Sequence, residues 1–333
     1  LIRIDAVRIP VFRRPDSIQI AATRGSPVIT VIYCPPSSHC RFGGHYAHVV
    51  GEGGYGAVVA VVVGGLLASA APAAAATRSS GFDDWSCRPS STRPDPVVLI
   101  HGLGGNGPGN FATIGPALAA AGYCAYTTTY GQASAIPVGG TIAIADSAVQ
   151  LTAFIDRVRQ STGASKVDLV GHSEGAFQSL YIPKVLGYSG RIHRVVALAP
   201  PTHGTTFAGL VNIAYLLGAR DLVGQVLTGF GCPACNDLIT GGPAVARLNA
   251  GRISQPGVDY TIIASRSDEL VTPTSTAFVA ESGVHNAYVQ NTCPLDPVGH
   301  VGLAFDSDVT QMIKNALDPT HPGRVFCSFG LPL

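Results

Sequence analysis

The 333 residues are 46% hydrophobic and only 12% charged, with 40 Gly and 24 Pro, enough for one large domain or two smaller ones. The formal net charge of +1 gives no electrostatic case for nucleic acid or for an acidic partner.

Residues 1–55 carry six Arg and three acids, no Lys and no steady apolar period. They are read as a leader lying outside the working protein. The stretch "GAVVAVVVGGLLASAAPAAAA", residues 56–76, is uncharged and ends in small residues. It reads as a signal peptide cleaved after Ala76, since Gly64, Gly65 and Pro72 leave a short apolar core. A transmembrane anchor is the alternative, because 21 uncharged residues are long enough to span a bilayer. The signal-peptide reading makes 77–333 an exported domain with no stable membrane insertion. Six of the eight cysteines fall in it: Cys87, Cys124, Cys232, Cys235, Cys293 and Cys327. An even number in an exported chain suggests disulfides. "CPAC", 232–235, sits in no thioredoxin-like turn and is read as a tight structural bridge.

Within 77–333, strand-like runs recur at 97–100, 123–130, 167–170, 194–199, 260–264 and 287–291. Helical patterns lie between them, at 111–121, 176–187 and 303–317. Ile144, Ala148, Leu151, Phe154, Ile155 and Val158 make another apolar stripe. This alternation predicts an α/β fold, mainly a parallel sheet with helices on both faces. A long insert, about 203–256, contains the apolar segment "FAGLVNIAYLLGARDLVGQVL". It is read either as a helical cap over a pocket or as an extra packing layer.

After the first run comes "HGLGGNGPGN", 101–110, which contains G-x-G-x-x-G at 102–107. A dinucleotide site would need an acid about 20 residues further on. No Asp, Glu, Lys or Arg lies between Asp95 and Asp146, so neither a ribose nor a phosphorylated ribose is served. The turn is read instead as an oxyanion site, with the Leu103 amide as one donor.

The third run ends in "VGHSEG", 170–175, which contains G-x-S-x-G. In a strand-to-helix turn, Gly171 and Gly175 relieve crowding and Ser173 stands exposed as a nucleophile. The amide of Glu174 is then a second oxyanion donor. A nucleophilic serine needs a base and an acid to orient it. Asp268 follows the run 260–264 and is the candidate acid, with Glu269 and Asp306 as competitors. His300 lies in the loop between the last predicted strand and the last helix, and is the candidate base. His285 is placed before that strand and His321 after the helix. His101 and His172, inside the two Gly motifs, are read as structural.

With these residues in order, the chain resembles the secreted actinomycete-type lipases and esterases of the class 2 lipase group, over about residues 82–333. The likeness rests on "PDPVVLIHGLGGNGPGNF", "VDLVGHSEGA", "LAPPTHGTT", "ASRSDELVTP", "VGHVGLAFD" and "NALDP". It implies an α/β-hydrolase fold and an extracellular enzyme that hydrolyses esters or lipids, at an oil–water interface for the latter. It implies Ser173, Asp268 and His300 as triad, and Leu103 and Glu174 as oxyanion donors. It suggests disulfides Cys87–Cys124, Cys232–Cys235 and Cys293–Cys327. A monomer without metal or cofactor is expected: Asp296 and Asp306 flank His300, but two acids are too few for a calcium cage. An acyltransferase using the same site and a non-catalytic lipid-binding relative are the alternative functions.

Overall fold

Short apolar runs become strands where both faces can be covered, and longer amphipathic stretches supply the cover. The computed structural model describes residues 41–42, 45–46, 81–133, 138–206 and 232–333. The chain divides into two compact units, residues 1–75 and 76–333. In the first, Arg41–Phe42 (β1) pairs antiparallel with His45–Tyr46 (β2). The 56–76 stretch and the apolar part of the insert, 207–231, lie outside the described residues.

The second unit is built on Val97–Ile100 (β3), Ala125–Thr127 (β4), Val167–His172 (β5), Ile192–Leu198 (β6), Asp259–Ala264 (β7) and Val284–Tyr288 (β8). They form one wholly parallel sheet in the order β4-β3-β5-β6-β7-β8. Strand side chains alternate between the two faces. Val98, Ile100 and Leu169 therefore join one core with Ile144, Leu151, Ile155, Phe177 and Tyr181. Val97, Leu99, Val170 and Leu198 join another with Phe111, Ile114, Leu118, Val309 and Ile313. Helices 144–162 and 174–185 thus cover one face, and helices 114–120 and 307–317 the other. Among the described residues, no helix is long and apolar enough to cross a membrane.

Several boundaries differ from expectation. The run 287–291 straddles an element boundary: the strand is Val284–Tyr288, and Val289–Thr292 turns into a short helix. His285 therefore lies within the last strand, not before it. This edge strand is only half-buried, so its sequence lacks the apolar run that marks a central strand. The run 123–130 contributes only three strand residues. The last helix starts at Ser307, where the Asp306 carboxylate accepts from the amides of Asp308 and Val309. In the described parts of the insert, Pro233–Leu238 and Pro243–Asn249 are helical.

Three disulfides join Cys87–Cys124, Cys232–Cys235 and Cys293–Cys327. The Cys232–Cys235 bridge spans the first turn of helix 233–238.

Candidate active site

The carboxyl ends of the strands bring the candidate residues to one rim, the side on which parallel sheets of this kind bind ligands. Ser173 directly follows β5 and caps helix 174–185 with φ 57° and ψ −120°. Positive φ is costly for a residue with a Cβ. The flanking glycines explain why the turn tolerates so close an approach. A Cβ on Gly171 would stand 2.2 Å from the Gly175 carbonyl oxygen, and one on Gly175 would stand 2.0 Å from that of Ile100. A Cβ on Gly102 would come within 2.9 Å of the Ser173 Cβ, so the turn after β3 lies against the serine.

The amide of Glu174 opens helix 174–185, and that of Leu103 sits in the adjacent turn. Among the turn and cap hydrogen bonds of the described residues, neither amide donates. Asn110 holds the turn, its Oδ1 accepting from the Gly102 amide at 3.0 Å.

Asp268 lies four residues past β7. Its Oδ1 accepts from the amides of Leu270 and Val271, each at 2.8 Å. Its Oδ2 lies 2.8 Å from His300 Nδ1, and both side chains are at most 3% exposed. Burial pushes the Asp268 carboxyl up, but the His300 charge and hydrogen bond and the two amides outweigh it. The carboxyl sits below its ordinary range. With Asp268 on Nδ1, the neutral imidazole presents Nε2 as an acceptor. That nitrogen is buried and has no hydrogen-bond partner, so Ser173 and His300 are not bonded to each other in this structure.

His172, beside the serine, links the two halves of the site. Its Nε2 donates to the His300 carbonyl oxygen at 2.9 Å, and the two rings lie 5.0 Å apart. Burial, then the nearby His300, brings the His172 imidazole down to about 3, so it stays neutral. Burial likewise brings His101 down to about 4.

The His300 loop is held from below and from the C-terminal segment. Ser265 Oγ donates to the Val298 carbonyl oxygen, and Gln290 Nε2 donates to Ser265 Oγ and to the Asp296 carbonyl oxygen, both at 2.9 Å. The amides of Gly299 and Gly302 donate to the carbonyls of Leu331 and Leu333, both at 2.9 Å. Gly330 donates to Asp296 Oδ1 at 2.8 Å, and the Cys293–Cys327 disulfide ties the same segment to the loop.

The competing acids lie elsewhere: Glu269 is exposed and Asp306 caps the last helix. Sequence reasoning counted two acids beside His300; the structure adds Asp308 to Asp296 and Asp306, with one oxygen of each within 4.8 Å of the others. It also missed Tyr130 and Gln178, for which no local sequence signal exists, whereas Cys293 and Cys327 had already pointed to the tie between the C-terminal segment and the His300 loop.

The family described as Lipase (class 2) matches residues 94–312. The chain is 32% identical over 81 residues to a triacylglycerol lipase of Pseudarthrobacter phenanthrenivorans, covering 24% of this chain and 25% of that protein. It is 28% identical over 127 residues to a triacylglycerol lipase of Pseudomonas fragi, covering 37% of this chain and 40% of that protein. The matches thus span less than half the length of these relatives. Among solved structures, Aspergillus fumigatus lipase B superposes with a TM-score of 0.55 at 19% identity, covering 70% of this chain and 54% of that one. That likeness shows a shared fold, that of the α/β hydrolases.

Proposed function

The chain belongs to the class 2 lipase family, and from that premise we propose that it hydrolyses carboxylic esters through Ser173, His300 and Asp268. The observation that carries this reading is the buried 2.8 Å Asp268–His300 hydrogen bond, which leaves His300 Nε2 without a partner on the same rim as a serine at φ 57°. Ser173 Oγ attacks the ester carbonyl carbon while His300 Nε2 takes its proton. Asp268, already ionised, orients the ring and supports its positive form. The amides of Leu103 and Glu174 receive the developing oxyanion. The tetrahedral intermediate collapses, and His300 returns the proton to the leaving alcohol. Water then attacks the acyl-enzyme by the same route and releases the acid.

The proposed substrates are lipid esters. The curated relatives are named triacylglycerol lipases. Near the His300 loop, Leu295, Phe326 and Phe329 are 81%, 73% and 78% exposed, on the two segments joined by Cys293–Cys327. Exposed apolar side chains on these segments suit an oil–water interface better than bulk water. We also propose that residues 56–76 are a signal peptide and 77–333 an exported domain, which the three disulfides favour.

The test is a chain-length series of esters. Ser173→Ala is expected to lower kcat by about 10⁴-fold or more, and Asp268→Asn by about 10³–10⁴-fold with residual turnover. Ester turnover by Ser173→Ala equal to that of the wild type sinks the reading.

A further inference from the structure

Glu174 is fully buried one position after the proposed nucleophile, and its carboxyl is short of hydrogen atoms. Its Oε1 lies 3.2 Å from the Tyr130 hydroxyl, but that hydroxyl also lies 2.8 Å from the His101 carbonyl oxygen and has one proton to give. Its Oε2 is buried with no partner. One helical turn on, Gln178 is also fully buried, and its Oε1 has no partner either. The Gln178 amide cannot be turned round to help. Its Nε2 donates to the Ile144 carbonyl at 3.0 Å, and a carbonyl needs a donor. Gly140 packs so closely that an added Cβ would stand 2.6 Å from Glu174 Oε2, yet its amide is committed to the Tyr130 carbonyl at 2.8 Å. Among the described residues, Glu174 Oε2 and Gln178 Oε1, one turn apart on the same helix, are thus both without a donor, and a proton on the carboxyl would supply one.

We infer that Glu174 is a neutral acid, its Oε2 proton donated to Gln178 Oε1, and that it is a positioning residue for the oxyanion turn. The surrounding groups agree. Tyr130 approaches from the loop before Gly131, His101 from the end of β3 and Asp237 from helix 233–238. Burial, the largest cause, pushes the carboxyl well above the usual range against the opposing hydrogen bonds of Tyr130 and Gln178, and the Asp237 charge adds to the rise. The route to the turn is short. Gly139 and Gly140 run between the two: Gly104 donates to the Gly139 carbonyl, Gly139 donates to the Gly105 carbonyl, both at 2.9 Å, and Gly140 lies against Glu174. Tyr130 stacks on His101 at 4.4 Å and closes the other side. A charge on Glu174 would draw donors out of this packing and shift Leu103.

The positioning half rests on the ester-hydrolase reading; the protonation half does not. Melting of the full chain with pH tests the latter. A neutral acid in the native state means the native protein holds a proton that the unfolded chain releases above about pH 4.3. Wild type should therefore lose stability relative to Glu174→Gln as pH rises from 4 to 8, because Gln supplies the same hydrogen atoms without titrating. A gap that is constant, or that closes as pH rises, overturns the inference. For positioning, Glu174→Leu should lower kcat about tenfold with little change in KM, the cost of stranding buried partners. Glu174→Gln should recover most of that loss and keep turnover at alkaline pH where wild type declines. Full turnover in Glu174→Leu, or no recovery in Glu174→Gln, overturns positioning. If Ser173→Ala leaves ester turnover unchanged, the hydrolase reading fails and the melting comparison still decides the proton.

Discussion

His172 shows how a residue within a motif acquires a role that the motif does not state. The sequence offers a histidine between Gly171 and Ser173. The structure gives its Nε2 to the His300 carbonyl, 128 positions away. Holding this ring neutral has a cost at low pH. The folded value is brought down to about 3, against 6.5 for a free imidazole. Below about pH 6.5 the unfolded chain therefore binds a proton that the native protein refuses, and stability falls as pH drops towards 3. His101 adds to this in the same direction. Replacing His172 by Gln should flatten the acid limb of a melting-temperature profile between pH 6.5 and 4, whatever it does at neutrality. An unchanged slope would show that the ring is not held neutral.

At the scale of one element, the turn from β5 to helix 174–185 depends on close backbone approach. A Cβ on Gly175 would meet the Ile100 carbonyl oxygen at 2.0 Å, and one on Gly171 the Gly175 carbonyl at 2.2 Å. Neither obstacle is the end of a flexible side chain, so β3, β5 and the helix would have to part. Gly175→Ala is expected to cost about 3 kcal/mol or more and to lower soluble yield, measured by denaturant unfolding. Gly122→Ala meets no atom within 4 Å and is limited by its φ of 87°, so it should cost about 1–2 kcal/mol. Equal effects would mean that close approach does not govern the elbow. The helix itself is legible because its apolar residues follow a strand-like run. The edge strand β8 is legible only approximately, because a half-exposed strand gains little from apolar residues and borrows its register from β7.

Across the whole molecule, the proposed base depends on the segment 327–333. Two backbone hydrogen bonds and one disulfide fasten that segment to the loop on either side of His300. Replacing Cys293 and Cys327 by Ser should cost about 2–4 kcal/mol and lower kcat more than it raises KM, since the loop carrying His300 loosens. A melting temperature and turnover equal to wild type would remove the segment from the account of the site. By itself the sequence determined the alternation of strands and helices, the strand-turn-helix around Ser173 and the chain order of Ser173, Asp268 and His300. These are local or ordinal properties, written in apolar period and glycine placement. Only the tertiary structure decided that Asp268, rather than exposed Glu269 or helix-capping Asp306, meets His300. It alone brought Tyr130 and Asp237 to Glu174, and added to the Cys293–Cys327 tie the backbone hydrogen bonds that hold Leu331 and Leu333 on the His300 loop. The Asp268–His300 and Tyr130–Glu174 contacts join residues 32 and 44 positions apart through a carboxylate and a hydroxyl, and such groups leave no periodic trace in the chain.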